Sequence, residues 1–145
     1  EQDAAPSVHF HHDKLVLRIR PGSDAHVRGE VISGWYRELL RVEVPHLIRA
    51  WETRLGVRAK GVFVQQMKTK WGSCNPATHN LRVNTELAKK PRECLEYIVV
   101  HEMAHLLEPT HNQRFVALLD QFIPKWKFYR DVLNRLPVRH ENWGY

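Results

Sequence analysis

The chain has 145 residues, of which 43% are apolar and 26% are charged, a balance typical of one ordinary globular domain. This composition excludes a fibrous repeat and a wholly disordered chain. No run of about 18 apolar residues occurs, so we expect no membrane span. The net charge of +6 permits a nucleic-acid or acidic partner without requiring one.

The N-terminus of the chain and its two cysteines indicate where the protein is located. The first ten residues lack the basic start and apolar centre of a signal peptide, and two cysteines cannot build a disulfide framework. We therefore expect a cytoplasmic protein. Residue 1 is Glu rather than Met, so we also expect that the native chain extends further at its N-terminus.

The N-terminal part is predicted to contain an irregular leader, one strand and a long helix. The leader covers residues 1–7, and the strand covers residues 12–20 and ends at a Pro-Gly pair. The helix begins at Ser23, an N-cap type, and its apolar stripe ends before Gly56, which suits a C-terminal cap. Pro45 is expected to kink or break this helix.

Two further strands are predicted in the middle of the chain, over residues 62–67 and 81–84, where apolar residues alternate with polar ones. Between them lie the turn signals Asn75-Pro76 and His79-Asn80. The pattern predicts an antiparallel hairpin with a loop of moderate length.

The C-terminal third is predicted to be helical. Residues 94–107 are apolar on nearly every side, which indicates a core helix that starts near Pro91 and ends before Pro109. Thr110 and Gln113 form a capping-box pattern, which predicts a second helix from about residue 111. A last helix follows Pro124. The buried stripe of the second helix is expected to comprise Phe115, Leu118, Leu119 and Phe122.

The core helix carries His101-Glu102-Met103-Ala104-His105, which matches His-Glu-x-x-His. Residues four apart share one face of a helix, so the two imidazoles lie side by side. Two imidazoles and a carboxylate on an otherwise apolar helix are costly to bury unpaired. A bound metal ion removes that cost, and the sequence therefore predicts a metal site on this helix.

A third ligand is expected, because catalytic zinc takes three protein ligands and keeps one position open. His111, six residues after His105, is the favoured ligand; Glu108 and the more distant Asp120 remain alternatives. The spacing equals that of the metzincins. Their glycine position holds Glu108 here, however, and no methionine follows the third histidine.

Several segments together resemble the YgjP-like metallopeptidases, small zincins akin to the SprT and WLM proteases. The resemblance covers about residues 23–136. The segments that carry it are Lys70-Trp71-Gly72-Ser73-Cys74, Leu81-Arg82-Val83-Asn84, the stretch from Tyr97 to His105, His111-Asn112 and Phe115. It implies an α+β, minimal zincin-like metallopeptidase fold, in which a small sheet with an antiparallel hairpin packs on helices around a central HExxH helix.

The resemblance also implies the chemistry. It implies one Zn²⁺ per chain on His101, His105 and His111, with Glu102 as the general base. It further implies an edge strand along the cleft, near residues 81–84. The residues expected to contact a substrate are Trp71, Leu81, Arg82 and Val83.

We therefore expect an N-terminal leader and strand over residues 1–22, a metallopeptidase domain over residues 23–136 and a tail over residues 137–145. The tail either packs on the body or folds into the cleft and keeps the enzyme latent. The expected function is zinc-dependent hydrolysis of peptide bonds. Its rivals are hydrolysis of a nucleotide phosphoanhydride and DNA binding with a structural metal.

Two smaller alternatives concern single side chains. Cys74 is an alternative nucleophile, or a partner of Cys94 in a disulfide, although a core thiol is the more ordinary role. A second donor to the oxyanion is also expected. The candidates for it are His79, Lys70 and Tyr129.

Overall fold

A computed structural model describes the backbone of residues 7–11, 14–18 and 25–135, and the side chains of residues 29–135. The tail over residues 137–145, with its predicted docking on the body or in the cleft, lies outside the described residues. Within them, no helix contains a stretch that is both long enough and apolar enough to cross a bilayer.

Two short strands open the chain, where the sequence predicted one. Strand β1 (Ser7–His11) pairs with β2 (Lys14–Arg18) in antiparallel register. The prediction of an irregular leader up to residue 7 and a strand from residue 12 was therefore wrong at its boundaries. Val8 and Phe10 alternate with histidines in β1, and this two-residue period was overlooked because the histidines make the segment polar.

Helix α1 (Ala25–Leu55) continues through Pro45, so the predicted break was wrong. Pro45 lacks the N–H that an interior helical residue donates. The helix persists because its apolar stripe is buried on both sides of the proline, and that packing offsets one lost bond. Gly56 ends the helix with φ +73°, as predicted for a C-terminal cap, and its N–H bonds to the Glu52 carbonyl at 2.9 Å.

The second sheet has three strands, β3 (Gly61–Gln65), β4 (Gly72–Asn75) and β5 (Asn80–Asn84), in the order β3-β5-β4. β5 pairs with β3 in parallel and with β4 in antiparallel register. The antiparallel hairpin is therefore formed by β4 and β5. The predicted pairing of residues 62–67 with 81–84 as a hairpin was wrong, because β4 was not recognised as a strand.

The expectation that residues 81–84 form an edge strand was also wrong, because β5 is the central strand and is hydrogen-bonded on both sides. The exposed edge nearest to the motif helix is β4. Three of the residues expected to touch a substrate lie in the core: Trp71, Leu81 and Val83 are each 1% exposed or less. The fourth, Arg82, is half-buried, and its guanidinium lies 5.1 Å from the Phe63 ring.

A 3₁₀ helix (Thr85–Lys89) leads into α2 (Arg92–Ala104), α3 (Gln113–Phe122) and α4 (Trp126–Arg135). α2 packs against α1, α3, α4 and β4, which makes it the centre of the domain. It ends at Ala104, earlier than predicted, because the chain begins to turn at His105. The cap of α3 is Asn112 rather than Thr110, since the Asn112 side chain accepts the Phe115 N–H at 2.9 Å.

Candidate metal centre

The last turn of α2 carries the polar residues of the motif into the core. His101 and Glu102 are each 3% exposed, and His105 is the C-cap residue of the helix. His101 and His105 are four residues apart, so their rings lie on one face with centroids 5.1 Å apart. The helix thus places two imidazoles side by side at its C-terminal end.

A tight turn after α2 brings the third histidine back. The N–H groups of Leu106 and Leu107 bond three residues back, to the Met103 and Ala104 carbonyls, each at 3.0 Å. This tightening reverses the chain before α3. As a result, His111 Nε2 lies 3.0 Å from His105 Nε2 and 3.2 Å from His101 Nε2.

The three imidazoles form a donor set that fits a divalent metal. Their candidate ligand nitrogens all lie within 4.8 Å of one another. Nitrogens about 2.0–2.1 Å from zinc at tetrahedral angles are about 3.4 Å apart, close to the observed separations. His105 Nδ1–H donates to the Glu108 carbonyl at 3.0 Å, so the Nε2 lone pair faces the other two rings.

Burial favours the neutral form of His101 and His105. Burial, reinforced by the neighbouring His105 and His111, lowers the pKa of His101 to about 2. Burial also lowers the pKa of His105, against the opposing effect of the Glu108 carbonyl. Neutral imidazole is the form that donates a lone pair to a metal, so the site is prepared for binding at neutral pH.

Phe115 packs against all three imidazole rings. It stacks on His105 with a centroid distance of 4.4 Å and an angle of 18°, and it lies 4.9 Å from both His101 and His111. The sequence pattern predicted that Phe115 lies in the buried stripe of α3, but it did not predict that Phe115 contacts the imidazoles. Its helical position cannot reveal the contact, because the turn between α2 and α3 sets which side chain reaches the rings.

Asn112 ties this turn to α3. Its Nδ2 donates to Glu108 Oε1 at 2.9 Å while its Oδ1 caps the helix. Glu108 Oε2 also lies 3.8 Å from Arg114 Nη1. Asp120 Oδ1 accepts the Trp126 Nε1–H at 2.8 Å. Neither alternative carboxylate belongs to the cluster, and the structure brings His111 there instead.

Glu102 lies beside the cluster in a cleft of about 250 Å³ that β4 and the three histidines line together. Gly72 sets the width of this cleft. A Cβ at Gly72 would lie 3.0 Å from Ile98 Cγ2 and 3.1 Å from Glu102 Cγ, so a larger residue would push β4 away from α2. The glycine therefore allows the strand to lie directly on the motif helix.

Cys74 and Cys94 are free thiols, so the disulfide alternative was wrong. Burial, with a smaller contribution from the Glu102 carboxylate, raises the pKa of Cys74 to about 12. A protonated thiol is a poor nucleophile, which disfavours a cysteine mechanism.

Of the candidate oxyanion donors, Lys70 lines the cleft beside Glu102. His79 lies in the β4–β5 turn, and its Nδ1 is 2.8 Å from the Arg58 carbonyl oxygen, before β3. Tyr129 lines a different cavity, between α2 and α4. Of the three candidates, Lys70 is therefore the one that shares a cleft with the imidazoles.

A helix bearing two histidines, a third histidine after a tight turn and a strand across the cleft are together features of a metallopeptidase. Residues 1–136 match the family model of the YgjP-like metallopeptidase domain, and the chain belongs to this family. Peptides are accordingly its class of substrate, and a metal is its cofactor. No curated protein sequence matches the chain.

The solved structures that share the fold include two metallopeptidase zymogens. One is the metallopeptidase zymogen jannalysin of Methanocaldococcus jannaschii, which is 19% identical with a TM-score of 0.55 and covers 66% of this chain and 98% of its own. The other is the metallopeptidase zymogen abylysin of Pyrococcus abyssi, which is 21% identical with a TM-score of 0.60 and covers 66% of this chain and 96% of its own. The predicted minimal metallopeptidase fold is confirmed.

Proposed function

We propose that the protein is a zinc-dependent peptidase that holds one Zn²⁺ on His101, His105 and His111. The observation that carries the proposal is the convergence of three imidazole nitrogens, with neighbouring Nε2 atoms 3.0 and 3.2 Å apart. Neutral nitrogen ligands in a set of three, with one position left open, are typical of catalytic zinc. Bound zinc would supply Lewis acidity and lower the pKa of a water molecule to about 7.

Glu102 is proposed as the general base. It follows His101 on α2 and lines the same cleft as the three histidines, which is the position a general base needs. It takes the proton of the attacking water and later donates it to the leaving amine. Lys70, on the same cleft, is proposed to stabilise the negative charge that develops on the carbonyl oxygen.

The substrate is proposed to lie along β4 rather than β5. The Asn84 N–H bonds to the Trp71 carbonyl at 2.9 Å, so bonded pairs alternate and include Ser73 with Arg82. The peptide groups of Cys74 therefore point away from β5, toward the open edge. An extended peptide can pair with them and bring a carbonyl over the histidines. This geometry replaces the substrate contacts expected from Leu81, Arg82 and Val83.

Metal analysis and two variants test the proposal. Wild-type protein should bind close to one zinc per chain, and His111→Ala should bind much more weakly. Glu102→Gln should keep the metal and lose about 10²- to 10⁴-fold in kcat/KM for peptide cleavage, the range for a general base. Full activity of Glu102→Gln would contradict the assignment.

The rival functions predict other results. Release of pyrophosphate from a nucleotide without cleavage of peptides would favour the phosphoanhydride hydrolase. Steep salt-dependent DNA binding, unaffected by Glu102→Gln, would favour the DNA module. The basic residues that could attract phosphates are Lys68, Lys70, Lys89, Lys90 and Arg92. Two of them are paired with carboxylates, Lys89 with Glu86 and Arg92 with Glu43, each at 3.0 Å, which reduces this attraction. The free thiols support the proposed location in a reducing cytoplasm.

A further inference from the structure

A second cavity adjoins the histidine cluster on the side of α3 and α4. It measures about 440 Å³, and its wall includes both His101 and His111, so one end opens at the proposed metal site. The far side is formed by α3 and α4. This volume lies in the range of cavities that hold small ligands. If the scissile bond lies at the histidines, the side chain of the neighbouring substrate residue can reach this cavity.

The cavity combines apolar walls with two lining residues that each carry a buried polar atom without a hydrogen-bond partner in the part of the chain that the structure describes. Phe115, Leu119 and Trp126 supply the walls, and the Trp126 N–H is already bonded to Asp120 at 2.8 Å. Tyr97 is 0% exposed, and its hydroxyl has no hydrogen-bond partner among the described residues. The same is true of the buried Oδ1 of Asn134, a residue of α4 that lines the cavity. Buried polar atoms are rarely left unpaired in folded proteins.

We propose that this cavity, hereafter the Tyr97 pocket, receives the side chain of a substrate residue next to the scissile bond, and that it selects tyrosine. The proposal rests on the peptidase function proposed above. An aromatic body fits walls formed by Phe115 and Trp126. A phenol both donates and accepts, so it can pair with the Tyr97 hydroxyl and with Asn134 in either orientation of the amide.

Charged side chains fit this pocket less well. Arg130 and Asp131 line it as an ion pair with a nitrogen–oxygen distance of 3.1 Å, so each neutralises the other. A lysine or glutamate side chain would lose its hydration on entry without gaining an opposite charge. Phenylalanine would fill the volume but would leave Tyr97 and Asn134 unpaired, and a site built for hydrogen bonds discriminates against the ligand that lacks them.

Binding to the metal-free chain of 145 residues tests the pocket without catalysis. NMR titration should show N-acetyl-tyrosinamide binding about fivefold to tenfold more tightly than N-acetyl-phenylalaninamide, the effect of one or two neutral hydrogen bonds. Tyr97→Phe should make the two affinities equal, and Asn134→Leu should reduce the difference. Tyr36→Phe, which removes a hydroxyl from α1 outside this pocket, should leave the difference unchanged. Equal affinities in the wild type would overturn the proposal.

Thermal unfolding separates recognition from a structural role. Tyr97→Phe removes a hydroxyl that no described residue bonds, so the Tm should stay unchanged or rise. A clear fall in Tm would show that the hydroxyl is bonded within the protein, and would overturn the proposal. An unchanged Tm with preserved discrimination between the two amides would also overturn it.

Cleavage by the zinc-loaded chain distinguishes the two proposals. Two peptides that differ only in tyrosine or phenylalanine next to the scissile bond should differ by about tenfold in kcat/KM, and Tyr97→Phe should remove the difference. Equal cleavage of both peptides would overturn the Tyr97 pocket and leave the peptidase function standing. If neither peptide were cleaved while the two amides still bound differently, the peptidase function would fail and the pocket would stand as a tyrosine-binding site.

Discussion

The β4 side of the histidine cluster is an edge of main-chain groups, whereas the α3 side is a wall of aromatic side chains. β4 comprises Gly72–Asn75, and Gly72 approaches α2 so closely that an added Cβ would lie 3.0 Å from Ile98 Cγ2. α3 contributes Phe115, which contacts all three imidazoles. Main-chain groups bind any extended peptide, while shaped side-chain pockets discriminate between residues. The two sides are therefore suited to different parts of one substrate.

The two sides are also held in different ways. The α3 side is fixed to the turn after α2 by Asn112, which bonds both Glu108 and the first turn of α3. The β4 side is held mainly by pairing with β5 and by contact with α2. We therefore expect substitutions on the α3 side to change metal affinity, and substitutions on the β4 side to change peptide cleavage while metal binding is preserved.

The largest of these effects is expected at Phe115. Phe115→Leu keeps an apolar residue in the core but loses the flat face that stacks on His105 at 4.4 Å. Loss of a group that orients metal ligands typically weakens metal binding by about 10- to 100-fold. Zinc affinity, measured by competition with a chromophoric chelator, should fall within that range.

Phe122→Leu provides a matched control for this experiment. It makes the same substitution on the same helix, but Phe122 packs near Trp51, with centroids 6.3 Å apart. Its zinc affinity should match that of the wild type. Equal zinc affinities for Phe115→Leu and Phe122→Leu would show that α3 supports the cluster only through general packing.

A smaller effect is expected on the β4 side. Cys74→Pro removes one N–H that points toward the open edge, and proline is tolerated at such positions. Losing one main-chain bond to the substrate should lower kcat/KM by about tenfold, while zinc affinity stays unchanged. Cys74→Ala keeps the N–H and should cleave peptides at the wild-type rate. Inactive Cys74→Ala would instead identify the thiol as a nucleophile.

The central helix and its histidines were predictable because two independent signals coincide there. The apolar residues of α2 recur around the whole helix, and His101 and His105 are spaced by one helical turn. The turn that follows was only partly predictable. Proline at 109 indicated that the helix ends, but the bond between His105 Nδ1 and the Glu108 carbonyl depends on the tertiary path of the chain.

The sheet was harder to predict because its edge strand carries almost no strand signal. Gly72–Asn75 contains glycine, serine and asparagine, which are poor strand formers, and it becomes a strand by pairing with β5. Without β4, the sequence assigned the hairpin to the wrong strands. The continuity of α1 through Pro45 was missed for a related reason, since burial of the flanking stripe outweighs a local preference.

The smallest expected effect concerns the link between the turn and α3. Asn112→Ala removes the cap acceptor of the Phe115 N–H, 2.9 Å away, and should lower the free energy of unfolding by about 1 kcal/mol, measured by urea denaturation of the metal-free protein. Asn112→Ser retains a cap hydroxyl and should recover most of this loss, although serine is too short to keep the bond to Glu108. If Asn112→Ala unfolded at the same urea concentration as the wild type, the Asn112 bonds would not stabilise the α3 side. Phe115 packing would then be the one feature that distinguishes the α3 side from the β4 side.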